Sequence, residues 1–324
     1  MERFSKKITV YSFILTILVI WLHAGEPILS SIPGQLAVPG FFLVSGYLFM
    51  KGVNRAFDTR VVLMEKLIKR IKSLFVPYII WNAFYFLIYL YMGKANPSEF
   101  YDAIFSFRYN PVFWFVAQLL LITLIAPLLY LIMKKPWRSI AWLGLVFGLA
   151  VMYARIPVHY CNEDALFYYS VGAAMALNKP ELLMKKTDWL TIPAAGALCT
   201  VFLVAGYFTP VGIVNICEIG YRISGTVTLY LIVSFIIDIL DSRKPGGIRI
   251  PGFMNVNFFV YCTHYLVIRV VWAIMGLLKI NDMAAVNMAV YLIMPVICIG
   301  SAYIVSVFLR KKLPGFYSVI SGGR

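Results

Sequence analysis

Hydrophobic residues fall along the chain in ten long blocks, at 8–29, 36–50, 74–92, 111–133, 139–153, 164–178, 189–208, 220–238, 253–276 and 284–308, parted by short polar segments. A helix of about twenty apolar residues crosses the hydrocarbon core of a bilayer. Lipid offers the backbone no hydrogen-bond partners, so each block is expected to be helical. The pattern predicts an all-α integral membrane protein with about ten transmembrane helices. The block at 36–50 also fits a re-entrant segment. No stretch between blocks exceeds the 23 residues at 51–73, so the whole chain, 1–324, reads as a single transmembrane domain.

The segment 51–72 carries a different pattern. Val61, Val62, Leu63, Leu67, Ile68 and Ile71 are interleaved with Arg60, Lys66, Lys69, Arg70 and Lys72. This reads as a basic helix lying in the membrane interface, with two available uses. One is attraction to anionic lipid; the other is collection of a phosphorylated donor from the cytosol.

Composition agrees with the blocks. Apolar residues make up 61% of the chain and charged residues 13%, against about 45–50% and about 25% in a soluble domain. The 21 Tyr and seven Trp suit the membrane–water boundary. The net charge of +15 is unevenly spread. With the N-terminus inside, 23 of the 29 Lys and Arg fall on cytoplasmic segments. Five (Lys94, Arg108, Arg155, Arg222 and Lys279) fall outside, and Arg269 lies within a block. Cation bias sets orientation, so both termini are expected on the cytoplasmic side of a multi-pass cell (inner) membrane protein. Acidic residues divide evenly between the two sides. The basicity therefore belongs to one membrane face, and nucleic acid is not an expected partner.

The first block begins with a basic stretch, as a signal peptide would. It ends in His23-Ala24-Gly25-Glu26-Pro27, with ionisable groups where a cleavage site would have small residues, so it is expected to remain as a span. The five Cys contain no CxxC pair. Cys199, Cys262 and Cys298 lie in blocks and suit packing. Cys161 and Cys217 map to outer segments, where oxidising conditions permit a bridge without requiring one.

Three histidines occur. His23 ends the first block, with Glu26 three residues on and on the same side of a continuing helix. A carboxylate beside an imidazole fixes its tautomer and keeps it basic, as a general base requires. The alternative is an interfacial histidine reaching for headgroups beside Trp21. His264 lies in the ninth block with Arg269 five residues on; buried ionisable groups at that depth are costly and mark either function or a polar contact between helices. His159 reads as a loop residue. Three scattered histidines without HExxH-type spacing give no expected metal site.

Several segments match a known family in order: Leu18-Val19-Ile20-Trp21-Leu22-His23-Ala24, then Val38-Pro39-Gly40-Phe41-Phe42-Leu43-Val44-Ser45-Gly46-Tyr47-Leu48, then Lys69-Arg70-Ile71-Lys72 leading to Pro77-Tyr78-Ile79-Ile80-Trp81, then Phe113-Trp114-Phe115, and finally Phe258-Phe259-Val260-Tyr261-Cys262-Thr263-His264. In these the chain resembles the acyltransferase-3 family of membrane-bound acyltransferases, which mostly O-acetylate cell-surface and exported glycans. The resemblance implies transfer of an acetyl or other small acyl group from acyl-CoA, reaching the site from the cytoplasm, to a hydroxyl of a surface polysaccharide or lipid-linked glycan. No permanently bound cofactor is expected; acetyl-CoA or another acyl-CoA is a donor substrate, and membrane lipids are partners. The resemblance makes His23 the catalytic base, with Glu26 beside it. It makes Ser45, Tyr47 and His264 candidates for acceptor or oxyanion contacts, a role for which Arg269, as a cation within a block, is a further candidate, and Lys69, Arg70 and Lys72 candidates for the CoA phosphates.

The chain departs from the family at three charged positions. Ser12 stands eleven residues before His23, Gln35 four before Pro39, and Ala117-Gln118 follow the Trp-Phe pair, where the family has arginine, arginine and Arg-Asp. These departures leave two other readings: a transporter of a glycan or lipid-linked sugar without acyl transfer, and a non-catalytic member of a surface-polymer assembly.

Overall fold

The computed structural model describes residues 2–25, 32–152, 163–209, 211–244, 247–280 and 283–323. Among these residues the protein is all-helical, with no strand. A helix occupies each of the ten apolar blocks: α1 (Glu2–Ala24), α2 (Ala37–Met50), α3 (Thr59–Tyr91), α5 (Trp114–Met133), α6 (Pro136–Val151), α7 (Glu163–Asn178), α8 (Thr191–Phe208), α9 (Val211–Arg243), α10 (Asn257–Leu277) and α11 (Ala284–Lys312). Two short helices complete the set, α4 (Phe100–Phe105) and the C-terminal α12 (Pro314–Ile320). Among the described residues seven helices are long and apolar enough to cross a membrane; α2 with its leading turn, Gly34–Met50, and α6 are shorter apolar helices.

One expected element takes a different form. The basic segment is not a separate interfacial helix. From Thr59 it runs on as the first half of α3, which continues through Pro77 to Tyr91 over 33 residues. At 1.5 Å per residue this is about 50 Å, well beyond the ~30 Å hydrocarbon thickness, so the basic turns project past the apolar half. Asp58 starts the helix, its carboxylate accepting from the Arg60 and Val61 amides. Pro77 has no N–H to offer the Ser73 carbonyl. That carbonyl instead faces Gly322 (φ 68°), where a Cβ would lie 2.1 Å from it. The Trp81 indole donates to the Ile320 carbonyl at 3.0 Å. The Pro-Tyr-x-x-Trp stretch thus docks the C-terminal turn.

α1 lies at the middle of the bundle, packed on α2, α9, α10 and α11. Its basic first turns are tied to α9: Lys7 pairs with Asp238 at 2.7 Å with both side chains buried, while Arg3 and Lys6 reach Asp241 at 3.0 and 2.9 Å. A buried charge is costly unless paired, so this contact fixes how α1 and α9 meet. Arg222, expected in an outer segment, lies inside α9. On the connection from α3 to α5, Glu99 accepts from the Tyr109 hydroxyl and the Asn96 amide and pairs with Arg108 at 2.9 Å. The Tyr109 hydrogen bond, followed by that of the amide, holds the Glu99 carboxyl below its ordinary range.

α2 and α7 approach most closely. A Cβ on Gly46 would fall 2.1 Å from the Tyr169 carbonyl, and one on Gly172 would fall 1.9 Å from that of Leu43. Small residues let two membrane helices approach to backbone contact, the arrangement that substitutes for hydrophobic driving force in lipid. The glycine of the Ser-Gly-Tyr-Leu stretch is therefore a packing requirement.

Candidate active site

Two cavities lie on opposite sides of a short polar partition within the bundle. The first, about 610 Å³, sits at the C-terminal end of α1 and is lined by His23, Tyr265, Arg269, Trp272, Asn287 and Tyr291 among others. α1 presents His23 there because its last turn is pinned on two sides. The Trp272 indole donates to the Ala24 carbonyl at 3.1 Å, serving one of the carbonyls a helix end leaves unbonded. Trp21 stacks on Tyr291. Arg269 lies over the Tyr265 ring at 5.9 Å and makes no ion pair among the described residues.

The second cavity, about 340 Å³, starts nearer the basic ends of α1 and α3 and is lined by Ser12, Ser45, Arg70, Phe115, Asn257 and Tyr261 among others. The Arg70 guanidinium donates to Ser45 Oγ at 3.2 Å. Arg70 also lines a third cavity of about 260 Å³, with Lys66, Lys69, Ser73 and the Gly322–Gly323 turn. It therefore stands between a basic opening and the interior cavity. Lys66 is only partly free for a ligand, because its ammonium donates to the Phe49 and Lys51 carbonyls at 2.8 and 2.6 Å and closes the end of α2.

The partition is made by α10. Tyr261 lines the second cavity, its hydroxyl bonded to the Val112 carbonyl. One turn on, His264 is fully buried, its ring 5.7 Å from that of Tyr261 and 5.6 Å from that of His23. Its Nδ1 lies 2.7 Å from the Tyr261 carbonyl. Tyr85 of α3 holds this stretch in place, since its hydroxyl donates to the Cys262 carbonyl and accepts from the Leu266 amide. Those are the two groups that an uninterrupted helix would bond to each other, so Tyr85 is inserted into the α10 ladder beside His264.

The expected site residues therefore separate. His23, His264 and Arg269 come together, with the two histidine rings adjacent. Ser45, Arg70 and Lys69 gather on the basic side. Tyr47 joins neither group: it is fully buried, its hydroxyl bonded to the Pro180 carbonyl and its ring against Phe4. Lys72 is exposed and lines none of these cavities. Glu26, His159 and Cys161 lie outside the described residues; Cys217 is a buried free thiol. Tyr85 and Trp272 were not singled out in the sequence, where one aromatic residue in a membrane helix looks like another, and Lys66 and Tyr261 were named there only as members of the basic and family-like segments.

Two of the three positions that lack family arginines meet cations from elsewhere. Ser12 shares its cavity with Arg70 of α3. Gln35 accepts from Arg222 of α9 at 3.4 Å, while the same guanidinium pairs with Asp164 and Glu218 at 2.9 and 3.3 Å.

Comparison with known proteins agrees with the sequence pattern. The acyltransferase-3 family model, described as an acyltransferase domain, matches residues 13–310. The succinoglycan biosynthesis protein ExoH of Rhizobium meliloti (strain 1021) is 22% identical over 312 residues, covering 90% of this chain and 80% of that protein. No solved structure matches the chain. With the family model matched over most of its length, this multi-pass membrane chain belongs to the acyltransferase-3 family.

Proposed function

We propose that the protein is a membrane-bound O-acyltransferase that moves an acetyl or other small acyl group from acyl-CoA to a hydroxyl of a cell-surface or lipid-linked glycan, with His23 as general base. The observation that carries this reading is the position of His23 on a roomy cavity, one ring away from a second cavity that opens towards Lys69 and Arg70. A relative named for succinoglycan biosynthesis supports a glycan acceptor. The positive-inside bias supports ten spans with both termini in the cytoplasm of the cell membrane, which puts the basic opening on the donor side.

In this reading the CoA phosphates sit at Lys69 and Arg70, and the thioester arm enters along Ser45. The Tyr261 ring swings away from Val112 to let the arm pass His264 and reach His23. The acceptor hydroxyl enters the larger cavity from the other face. An alcohol is a poor nucleophile until a base takes its proton during attack. His23 takes that proton as the oxygen bonds to the thioester carbon. The C–S bond then breaks, the ester forms, and the sulfur of CoA leaves with the electron pair. Arg269 and Tyr265 line the space where charge develops on the carbonyl oxygen; a cation there stabilises that charge and also contacts acceptor hydroxyls. Glu26, three residues beyond the base, is proposed to stabilise the imidazolium that His23 becomes once it has taken that proton.

The test is transfer of label from [14C]acetyl-CoA to an alkali-labile ester in the envelope glycan fraction. Wild-type protein and His23→Ala are compared at equal levels of membrane-inserted protein. The expected loss is at least about a hundredfold, the usual contribution of a general base. Undiminished transfer by His23→Ala would remove His23 from the chemistry, and sugar movement without any need for acyl-CoA would favour a transporter.

A further inference from the structure

We propose that His264 is a positioning residue that accepts the ring N–H of His23, fixing which nitrogen of the base faces the acceptor; this rests on the reading of His23 as the base. A backbone carbonyl only accepts, so the 2.7 Å contact with the Tyr261 carbonyl puts the proton of the neutral His264 ring on Nδ1. Nε2 is then a bare lone pair. It is buried in a side chain with no exposed surface and has no hydrogen-bond partner among the described residues. Leaving a buried acceptor unmet is costly, so such groups in a folded protein call for an explanation.

The neighbour able to meet it is His23, whose ring lies 5.6 Å away, centroid to centroid, and is tilted by 44°. Tyr265 approaches His23 edge-on at 6.5 Å. A neutral imidazole carries one N–H and one lone pair. If the N–H is turned inward to His264, the lone pair is turned outward to the cavity, where a base needs it. The job given to a carboxylate in many base–orienter pairs falls here to a neutral ring. It selects the tautomer without adding a negative charge to the buried partition. His264 is itself held firmly, because Tyr85 clamps the turn of α10 that carries it and the Tyr261 carbonyl accepts from its Nδ1–H.

Two substitutions separate the halves of the ring. In His264→Asn the amide nitrogen replaces Nδ1 and still donates to Tyr261, while the acceptor at the Nε2 position is gone. In His264→Gln the longer side chain places an oxygen acceptor near the Nε2 position. Protein in nanodiscs is assayed with [14C]acetyl-CoA and the envelope glycan fraction as acceptor, beside His23→Ala. The expected result is a fall in kcat of about thirty- to a hundredfold for His264→Asn, with KM for acetyl-CoA within about twofold and an unchanged melting temperature. His264→Gln should recover at least about tenfold of that loss. Because the chain has three histidines, 15N spectra of labelled imidazoles give a reading independent of turnover: His23 is expected in one tautomer in the wild type and in a mixture in His264→Asn. An Asn variant as fast as wild type beside an inactive His23→Ala overturns the positioning role alone. Equal loss in Asn and Gln, with the His23 spectrum unchanged, overturns it too. Full activity of His23→Ala overturns the base assignment beneath it.

Discussion

Arg70 links the basic opening to the interior, and its neighbours show how local the effect is. Arg70 lines both cavities on the basic side and its guanidinium donates to Ser45, whereas Lys72, two residues on, is exposed and lines neither. A hydrogen bond to a charged group contributes about 1.5–3 kcal/mol, and each 1.4 kcal/mol is about tenfold in affinity. Arg70→Ala is therefore expected to raise KM for acetyl-CoA at least about tenfold, while Lys72→Ala stays within about twofold. Initial rates over a range of acetyl-CoA concentrations check this, and equal effects of the two substitutions would detach the donor from the pocket. The run Lys69-Arg70-Ile71-Lys72 could not be resolved in the sequence, because it names three cations without saying which way each turns. Tyr47 makes the same point. It sits in the most specific motif, yet it docks α2 onto the segment at Pro180, against Phe4 at the opposite end of α1 from His23.

Among the helices, the contact between α2 and α7 has the least tolerance. Gly46 and Gly172 each face a carbonyl of the opposite helix, closer than any Cβ could come. Forcing extra atoms into a packed interface costs about 1–3 kcal/mol, more where backbone has to move. Gly46→Ala and Gly172→Ala are each expected to lower the melting temperature in detergent and the yield of monodisperse protein. Gly144→Ala, in α6 with nothing within 4 Å, should do neither. Melting curves of the three variants decide it; equal stability would mean that the helices sit farther apart. The existence of the helices was legible from the apolar blocks, since only a helix satisfies its own backbone in lipid. Their partners were not. Gly172 lies in no recognised motif, and block lengths say nothing about which helix meets which. The continuity of α3 was hidden for a physical reason: Pro77 normally argues for a break, but here the carbonyl it frees is covered by the C-terminal turn.

Across the whole molecule, α1 is the axis around which both sides are organised. Its basic end is held by Asp238 and Asp241 of α9, and its far end presents His23 to the larger cavity against α10 and α11. The place of His23 at the end of the first apolar block was legible, as was its likeness to the family base. The adjacency of His264, some 240 residues away in sequence, needed the packing of α1 on α10. On the proposed reading, a donor entering beside α3 and an acceptor entering beside His23 would make the protein a conduit for an acyl group from one face of the membrane to the other. Sealed vesicles of defined orientation, loaded with acceptor glycan and given [14C]acetyl-CoA outside, test this most directly. Inside-out vesicles, which on the proposed orientation expose the basic opening, should form labelled ester on the enclosed glycan, and right-side-out vesicles should form little. Equal labelling in both orientations, or ester confined to glycan on the same face as the acetyl-CoA, would contradict transfer across the partition at His23.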